Sequence, residues 1–279
     1  MASTIIAALS AFSSANHSLE TTLEIWISRG SDNMIPLSMK SDKKPPFTGL
    51  RVTAKALIPA KIDDCVSRLN FTIRSYEVGP NRMVTIRTLL NYLLETTANH
   101  MRNVGLVGDG FQSTPEMTKR DLIWVIAKMQ VLIDRYPSWG DVVEIDNWLG
   151  DAPVKNGFSN YWHLRDANTS ETLAQVNSVW ILMNKKTRKL SKMPEEVRDE
   201  ITAHLMDYPI WDDIRLSKVH DNETDFVQTG VIARWSDLDV NQHVNFGKYI
   251  EWILEIDIHF IKQLFFSSCL SYRILIGIS

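Results

Sequence analysis

Two distant stretches of this chain carry one pattern, and that duplication limits the fold more than any other feature. In the first, Asn70-Phe-Thr-Ile-Arg-Ser-Tyr76 alternates β-branched and aromatic residues with polar ones and reads as a strand, and Gly79-Pro80-Asn81 reads as a turn. Ile86, Leu89, Leu90, Leu93, Leu94, Thr97, Met101 and Val104 then fall on one face of a helix that Gly105 and Gly108 end. Sliding the second stretch over the first without gaps (234 − 74 = 160) sets Arg234 on Arg74, Asp237 on Glu77, Asn241 on Asn81 and Glu255 on Glu95. Ile250, Ile253 and Leu254 fall on Leu90, Leu93 and Leu94. Strand, polar turn and amphipathic helix, twice in register, predict a duplicated supersecondary unit. A chance match of two amphipathic helices is the competing reading.

The second copy holds groups the first lacks. Asp239, Asn241 and His243 alternate within Trp235-Ser-Asp-Leu-Asp-Val-Asn-Gln-His-Val-Asn245, and in extended backbone such positions share a face. The overlay puts Gly79 opposite Asp239 and Met83 opposite His243. A carboxylate, a carboxamide and an imidazole on one face, just before a helix start that favours negative charge, suit attack on a carbonyl. The same residues also suit a plain polar turn. Asp239 and His243 would serve as two metal ligands, although no second His or Cys lies nearby. The first copy is thus expected to be structural or substrate-binding, and the second to carry the chemistry.

Between the copies, Thr114-Pro-Glu-Met117 reads as a capped helix start. Strands follow over Leu122 to Arg135, Asp141 to Leu149, Phe158 to Asp166 and Leu173 to Asn184. Lys185, Lys186, Arg188, Lys189 and Lys192 form a basic cluster, either a solvated loop or a surface for an acidic partner. A helix starts at Pro194, and residues 207–225 read as a polar linker. One long helix followed by four antiparallel strands makes the class α+β.

The net charge of −3 implies no general attraction to nucleic acid or anionic membrane. Two cysteines make no disulfide framework and fit a reducing compartment. No segment reads as membrane-spanning, since Arg273 interrupts the apolar tail. Residues 1–60 are rich in Ser and Ala, with Lys40, Lys43 and Lys44, and read as a transit peptide or a disordered N-terminal segment. Glu20, Glu24, Asp32 and Asp42 are unusual for a transit peptide.

Arg234 to Asn245 resembles the signature of plant acyl-acyl carrier protein thioesterases, and Trp235-Ser236 with Val240 resembles their FatB, palmitoyl-type branch. The likeness runs from about Asn70 to Glu255. It includes Gly108-Asp-Gly-Phe111, Ser113-Thr-Pro-Glu-Met117, Tyr136-Pro137, Trp139-Gly140-Asp141, Ser178-Val-Trp180, Met183-Asn184 and Leu190-Ser-Lys192. The resemblance implies a double hot-dog fold, each half a long helix wrapped by antiparallel sheet. Residues 66–206 would form the N-terminal, substrate-binding hot-dog, and 226–279 a partial C-terminal one carrying the catalytic motif. It also implies hydrolysis of fatty acyl-acyl carrier protein to free fatty acid, terminating chain elongation in the plastid stroma, with no cofactor or metal. In that role Asn241 and the helix start polarise the thioester carbonyl, His243 is the general base or orients the nucleophile, and Asp239 fixes the imidazole tautomer. The implied partner is acyl carrier protein bearing its acyl chain, with no nucleic acid, and a homodimer is left open.

Three departures matter. Ser159 and Asn160 stand where the family tends to carry an Arg-Arg pair, which would weaken docking if those arginines meet the carrier. Phe246 replaces a second Asn after Asn245, where a bulky ring would narrow the site. Beyond Glu255 the family continues through strands that complete the second sheet and an Arg-Arg-Glu-Cys stretch, and the surroundings of Cys269 do not match it. No catalytic role is carried over to Cys269. The second hot-dog is therefore expected to be incomplete, leaving Ile250, Ile253, Leu254, Ile258 and Ile261 in need of cover, each worth roughly 1.5–3 kcal/mol when buried. Either the apolar stretch Phe260 to Ile278 supplies substitute strands, or the product is truncated and impaired and at most binds acyl-acyl carrier protein.

Overall fold

The duplicated pattern folds twice in one register. The computed structural model describes residues 2–13, 19–29, 65–108, 113–152, 154–207, 226–239, 244–256 and 272–278. In chain order these form β1 (Ala2–Ser13), β2 (Leu19–Arg29), β3 (Val66–Thr72), α1 (Ile86–Asn103), α2 (Pro115–Lys119), β4 (Leu122–Ile133) and β5 (Val142–Asp151). There follow β6 (Gly157–Asp166), β7 (Thr172–Asn184), α3 (Glu195–Thr202), β8 (Leu205–Met206), β9 (Phe226–Ile232), α4 (Phe246–Ile256) and β10 (Tyr272–Ile278). The offset found in the sequence separates the start of β9 from that of β3 (226 − 66 = 160) and the start of α4 from that of α1 (246 − 86 = 160). It also separates the 3-10 turns Ser75–Glu77 and Trp235–Asp237 (235 − 75 = 160). The lone bridges Val78 to Val84 and Leu238 to Val244 keep the same spacing.

The first strand ends earlier than its alternation suggests. The Glu77 carboxylate accepts the Arg74 backbone N–H at 2.8 Å, and this closes residues 75–77 into a turn where the alternation predicts strand as far as Tyr76. α1 starts on the Thr85 side chain, which accepts the Thr88 N–H. It stops at Gly105, whose φ of +76° suits glycine. There the N–H of Leu106 reaches the carbonyl of Met101 and that of Gly105 the carbonyl of Arg102, a Schellman closure.

The strands form a sheet in the order β3-β5-β6-β7-β4-β10-β2-β1-β9, with β8 on the edge of β5. Pairing is antiparallel except β2 with β10 and β5 with β8. α1 packs on β3 and β5 and beside α4, burying Leu89, Leu90, Leu93 and Met101 against Ile145, Trp162 and Val176. This is the α+β, hot-dog-type arrangement of a long helix held by antiparallel sheet. Among the described residues no helix is long and apolar enough to cross a membrane.

A buried polar chain also ties α1 to the sheet. Trp162 donates to the carbonyl of Leu93 at 3.0 Å, and the Asn160 amide donates to Thr97 at 2.9 Å. The Asn147 amide donates to Asn160 at 2.5 Å and to the carbonyl of Tyr161 at 2.9 Å. With both its N–H groups used, Asn147 accepts through its oxygen, so His100, 2.9 Å away, is protonated on Nδ1. Burial holds the His100 pKa below its usual value. Ser159 and Asn160 are both buried, so neither presents a side chain to a docking partner. The weaker docking expected from the missing Arg-Arg pair stays an expectation.

On the opposite face Asp146 is gripped by Arg68 at 2.6 Å and Arg165 at 2.7 Å. Next to it His163 is buried, with Nε2 at 3.0 Å from the Thr172 hydroxyl. Burial and then Arg165 push its pKa down to about 4 against the pull of Asp146 and Glu144. The unfolded chain therefore takes up a proton near pH 6.5 that the folded chain refuses until about 4. Stability is complete above that window and falls as the pH drops through it, by roughly 2–3 kcal/mol for this group. Urea titrations at pH 7 and pH 5 should show the loss, and His163→Gln should flatten it.

Two expectations concern the ends of the chain. Within residues 1–60, read as a transit peptide or a disordered segment, the structure holds β1 and β2. These are β-branched and apolar runs that pair with each other, with β9 and with β10. The apolar stretch after Phe260 does supply a strand, since β10 inserts between β4 and β2. α4 is covered on the side that is described: Tyr249, Ile250 and Trp252 are buried in the same core as α1. Ile258, Ile261 and Cys269 lie outside the described residues.

Candidate active site

The loop that carries Asp239 is clamped at both ends. The Asp237 carboxylate accepts the Arg234 backbone N–H at 2.8 Å, and the Asp237 carbonyl accepts the Asn245 N–H at 2.7 Å. The bridge between Leu238 and Val244 closes the neck. Asn245 then caps α4, its side-chain oxygen accepting the Gly247 N–H at 2.9 Å and its carbonyl the Lys248 N–H at 2.9 Å. Phe246 is packed against the hydrophobic core. Asp239 is half-buried on this loop, directly ahead of the helix start. Asn241 and His243 lie outside the described residues, so their convergence with Asp239 stays an expectation.

The first copy repeats the clamp and fills its loop differently. Glu77 takes the Arg74 N–H and its carbonyl takes the Thr85 N–H at 3.1 Å. The Asn81 oxygen accepts the Met83 N–H at 3.1 Å, and the Gly79 N–H reaches the Met83 carbonyl at 2.9 Å. This closed turn spends its carboxamide on its own backbone.

Charges link the two copies. Lys248 lies 3.4 Å from Asp237 and 2.7 Å from Glu251, and Glu251 lies 2.8 Å from Arg87 on α1. Burial raises the Asp237 pKa, but the Arg234 N–H and the Lys248 ammonium outweigh it and hold the carboxyl below its ordinary value. The Glu251 carboxylate, with Asp237 behind it, raises Lys248 against the effect of burial. A Cβ at Gly247 would sit 3.5 Å from Arg87 and 3.9 Å from the Asn91 amide oxygen. Position 247 is the counterpart of 87, and 251 of 91. The contacts 87 to 251 and 91 to 247 are therefore one contact seen from two sides, as in an isologous dimer.

Sequence reasoning missed Lys248, Glu251 and Arg87. The helical spacing of Lys248 and Glu251 was a usable signal; Arg87, far along the chain from its partner, left none. Among the described residues no group of three or more His, Cys, Asp or Glu is placed to hold a metal.

Residues 65–201 match the family model of the acyl-ACP thioesterase N-terminal domain, and residues 220–271 that of the C-terminal domain. Over 220 residues the chain is 50% identical to the palmitoyl-acyl carrier protein thioesterase, chloroplastic, of Arabidopsis thaliana. The chain belongs to the acyl-ACP thioesterase family. The Arabidopsis alignment takes in 78% of this chain and 53% of that protein, so this thioesterase-family chain spans about half the length of the curated relatives it matches. It is 44% identical over 218 residues to the dodecanoyl-[acyl-carrier-protein] hydrolase, chloroplastic, of Umbellularia californica, covering 75% of this chain and 57% of that one. The solved 12:0-ACP thioesterase from the same plant superposes with a TM-score of 0.64 at 46% identity, covering 69% of this chain and 70% of that chain. An acyl-ACP thioesterase from Bacteroides thetaiotaomicron superposes at 0.55 with 21% identity, over 72% of this chain and 76% of that one, which speaks for the fold.

Proposed function

We propose that the chain hydrolyses the thioester of fatty acyl-acyl carrier protein, releasing free fatty acid and ending chain elongation in the plastid stroma. The observation that carries this is the clamped loop bearing Asp239 immediately ahead of α4, in a chain half identical to plant enzymes named for that reaction. Asn241 and the positive end of the α4 dipole stabilise the oxyanion as water adds to the carbonyl. His243 takes the proton from that water and returns it to the departing carrier thiolate, and Asp239 holds the imidazole tautomer. No cofactor or metal enters these steps.

Residues 66–206 serve as the substrate-binding hot-dog, 207–225 as linker and 226–279 as the partial hot-dog carrying the catalytic motif. Residues 1–60 carry the plastid address, in line with relatives named chloroplastic. The partner is acyl carrier protein with its acyl chain, and a second copy of the chain is the candidate for self-association. The test is incubation of the purified full chain with acyl-acyl carrier proteins of several chain lengths. Fatty acid and free carrier thiol should appear in equal amounts. Release no faster than in a His243→Ala control of equal fold would overturn the reading.

A further inference from the structure

Lys248 takes no part in the chemistry above, yet it sets a cation where the first copy has a neutral Thr88. Both copies build the same clamp: a carboxylate that takes the backbone N–H at the head of its own turn, and a carbonyl that takes the N–H just ahead of the helix. In the first copy the carboxylate of Glu77 is met by a neutral group, the Tyr92 hydroxyl at 2.5 Å. The counterpart of Lys248 there is Thr88, whose hydroxyl reaches the Glu77 carbonyl at 3.5 Å. In the second copy an ammonium replaces that hydroxyl and lies 3.4 Å from the Asp237 carboxylate. Asp237 is 5% exposed, so a cation beside it acts with little screening.

We propose that Lys248 is a positioning residue: it holds Asp237, and through Asp237 the two ends of the loop that carries Asp239, at residues 238–239 and 244–245, and Glu251 and Arg87 extend the link to the first copy. The proposal rests on the thioesterase reading and assigns that site its support. Asp237 reaches the loop from both sides, through the Arg234 N–H ahead of it and the Asn245 N–H behind it. Lys248 in turn is fixed by Glu251 at 2.7 Å, and Glu251 by Arg87 at 2.8 Å. The alternation of signs from Asp237 to Arg87 leaves no like charges adjacent.

Displacing a reacting group by about 1 Å costs about a hundredfold in rate. Lys248→Met should accordingly lower kcat about 10- to 100-fold with KM within about twofold, and Lys248→Arg should restore most of it. Arg87→Met, at the far end, should give a smaller loss of the same kind. The readout independent of activity is amide exchange: residues 238–245 should exchange faster in Lys248→Met while α1 is unchanged. Unaltered kcat in a folded Lys248→Met, or a loss that tracks only the folded fraction, overturns the proposal. If the parent chain shows no hydrolysis, the thioesterase reading fails. The exchange measurement then decides the positioning claim alone, and unchanged loop exchange overturns it.

Discussion

Replacing His243 by Ala is expected to reduce kcat for acyl-acyl carrier protein hydrolysis by about 10²–10⁴-fold, the usual worth of a positioned general base. KM should stay close to that of the parent, because the apolar contacts to the acyl chain are untouched. Asp239→Asn keeps the shape of the side chain but removes its charge, and in the proposed mechanism the imidazole then loses the group that holds its tautomer. Its loss should approach that of His243→Ala. The double variant should be little worse than either single one, since groups acting as a unit are far from additive. Quantifying released fatty acid under saturating and subsaturating substrate separates kcat from KM. Turnover equal to the parent's in both variants would remove the motif from the chemistry.

Asn147→Leu should be strongly destabilising. Two groups lose their partner at once: the His100 Nδ1–H and the Asn160 side-chain oxygen. Each orphaned buried group costs about 1–3 kcal/mol, so about 2–6 kcal/mol in sum is expected. In a chain of this size that lowers the melting temperature by roughly 10 °C. Exchanging the network for apolar groups together, as in Asn147→Leu with Asn160→Leu and His100→Leu, should recover part of the loss, because no group is then left unpaired. A single variant that melts with the parent would show that the chain of amides contributes little.

Much of this was legible in the residues. The apolar face of α1 was visible in its spacing, and the four strands β4 to β7 in their alternation and turns. Thr114 was readable as a cap, and its hydroxyl oxygen does accept the Met117 N–H at 3.3 Å. The duplicated register was the strongest signal, because it also sorted the copy with Asp239 from the copy with Gly79. What was not legible is non-local. Local pattern says nothing of β4 pairing with β7 rather than β5, or of β1 and β2 lying beside β9 and β10 from the far end of the chain. Asn147 and Asn160 look like ordinary polar strand positions until α1 sets His100 and Thr97 against them. The link from Asp237 to Arg87 needed the helices of both copies, far apart in the chain, to be packed side by side.

The placing of β1 and β2 has a bearing on maturation. In this sheet β2 is the neighbour that separates β10 from β1, and β1 is the described neighbour of β9. On the reading proposed above, proteolytic removal of residues 1–60 after import would strip both away, baring the flanks of β9 and β10 as unpaired backbone. Such open margins recruit further strands. The precursor and the processed chain would thus differ in what they can stick to, and the uncleaved form would be the one that keeps those two flanks paired.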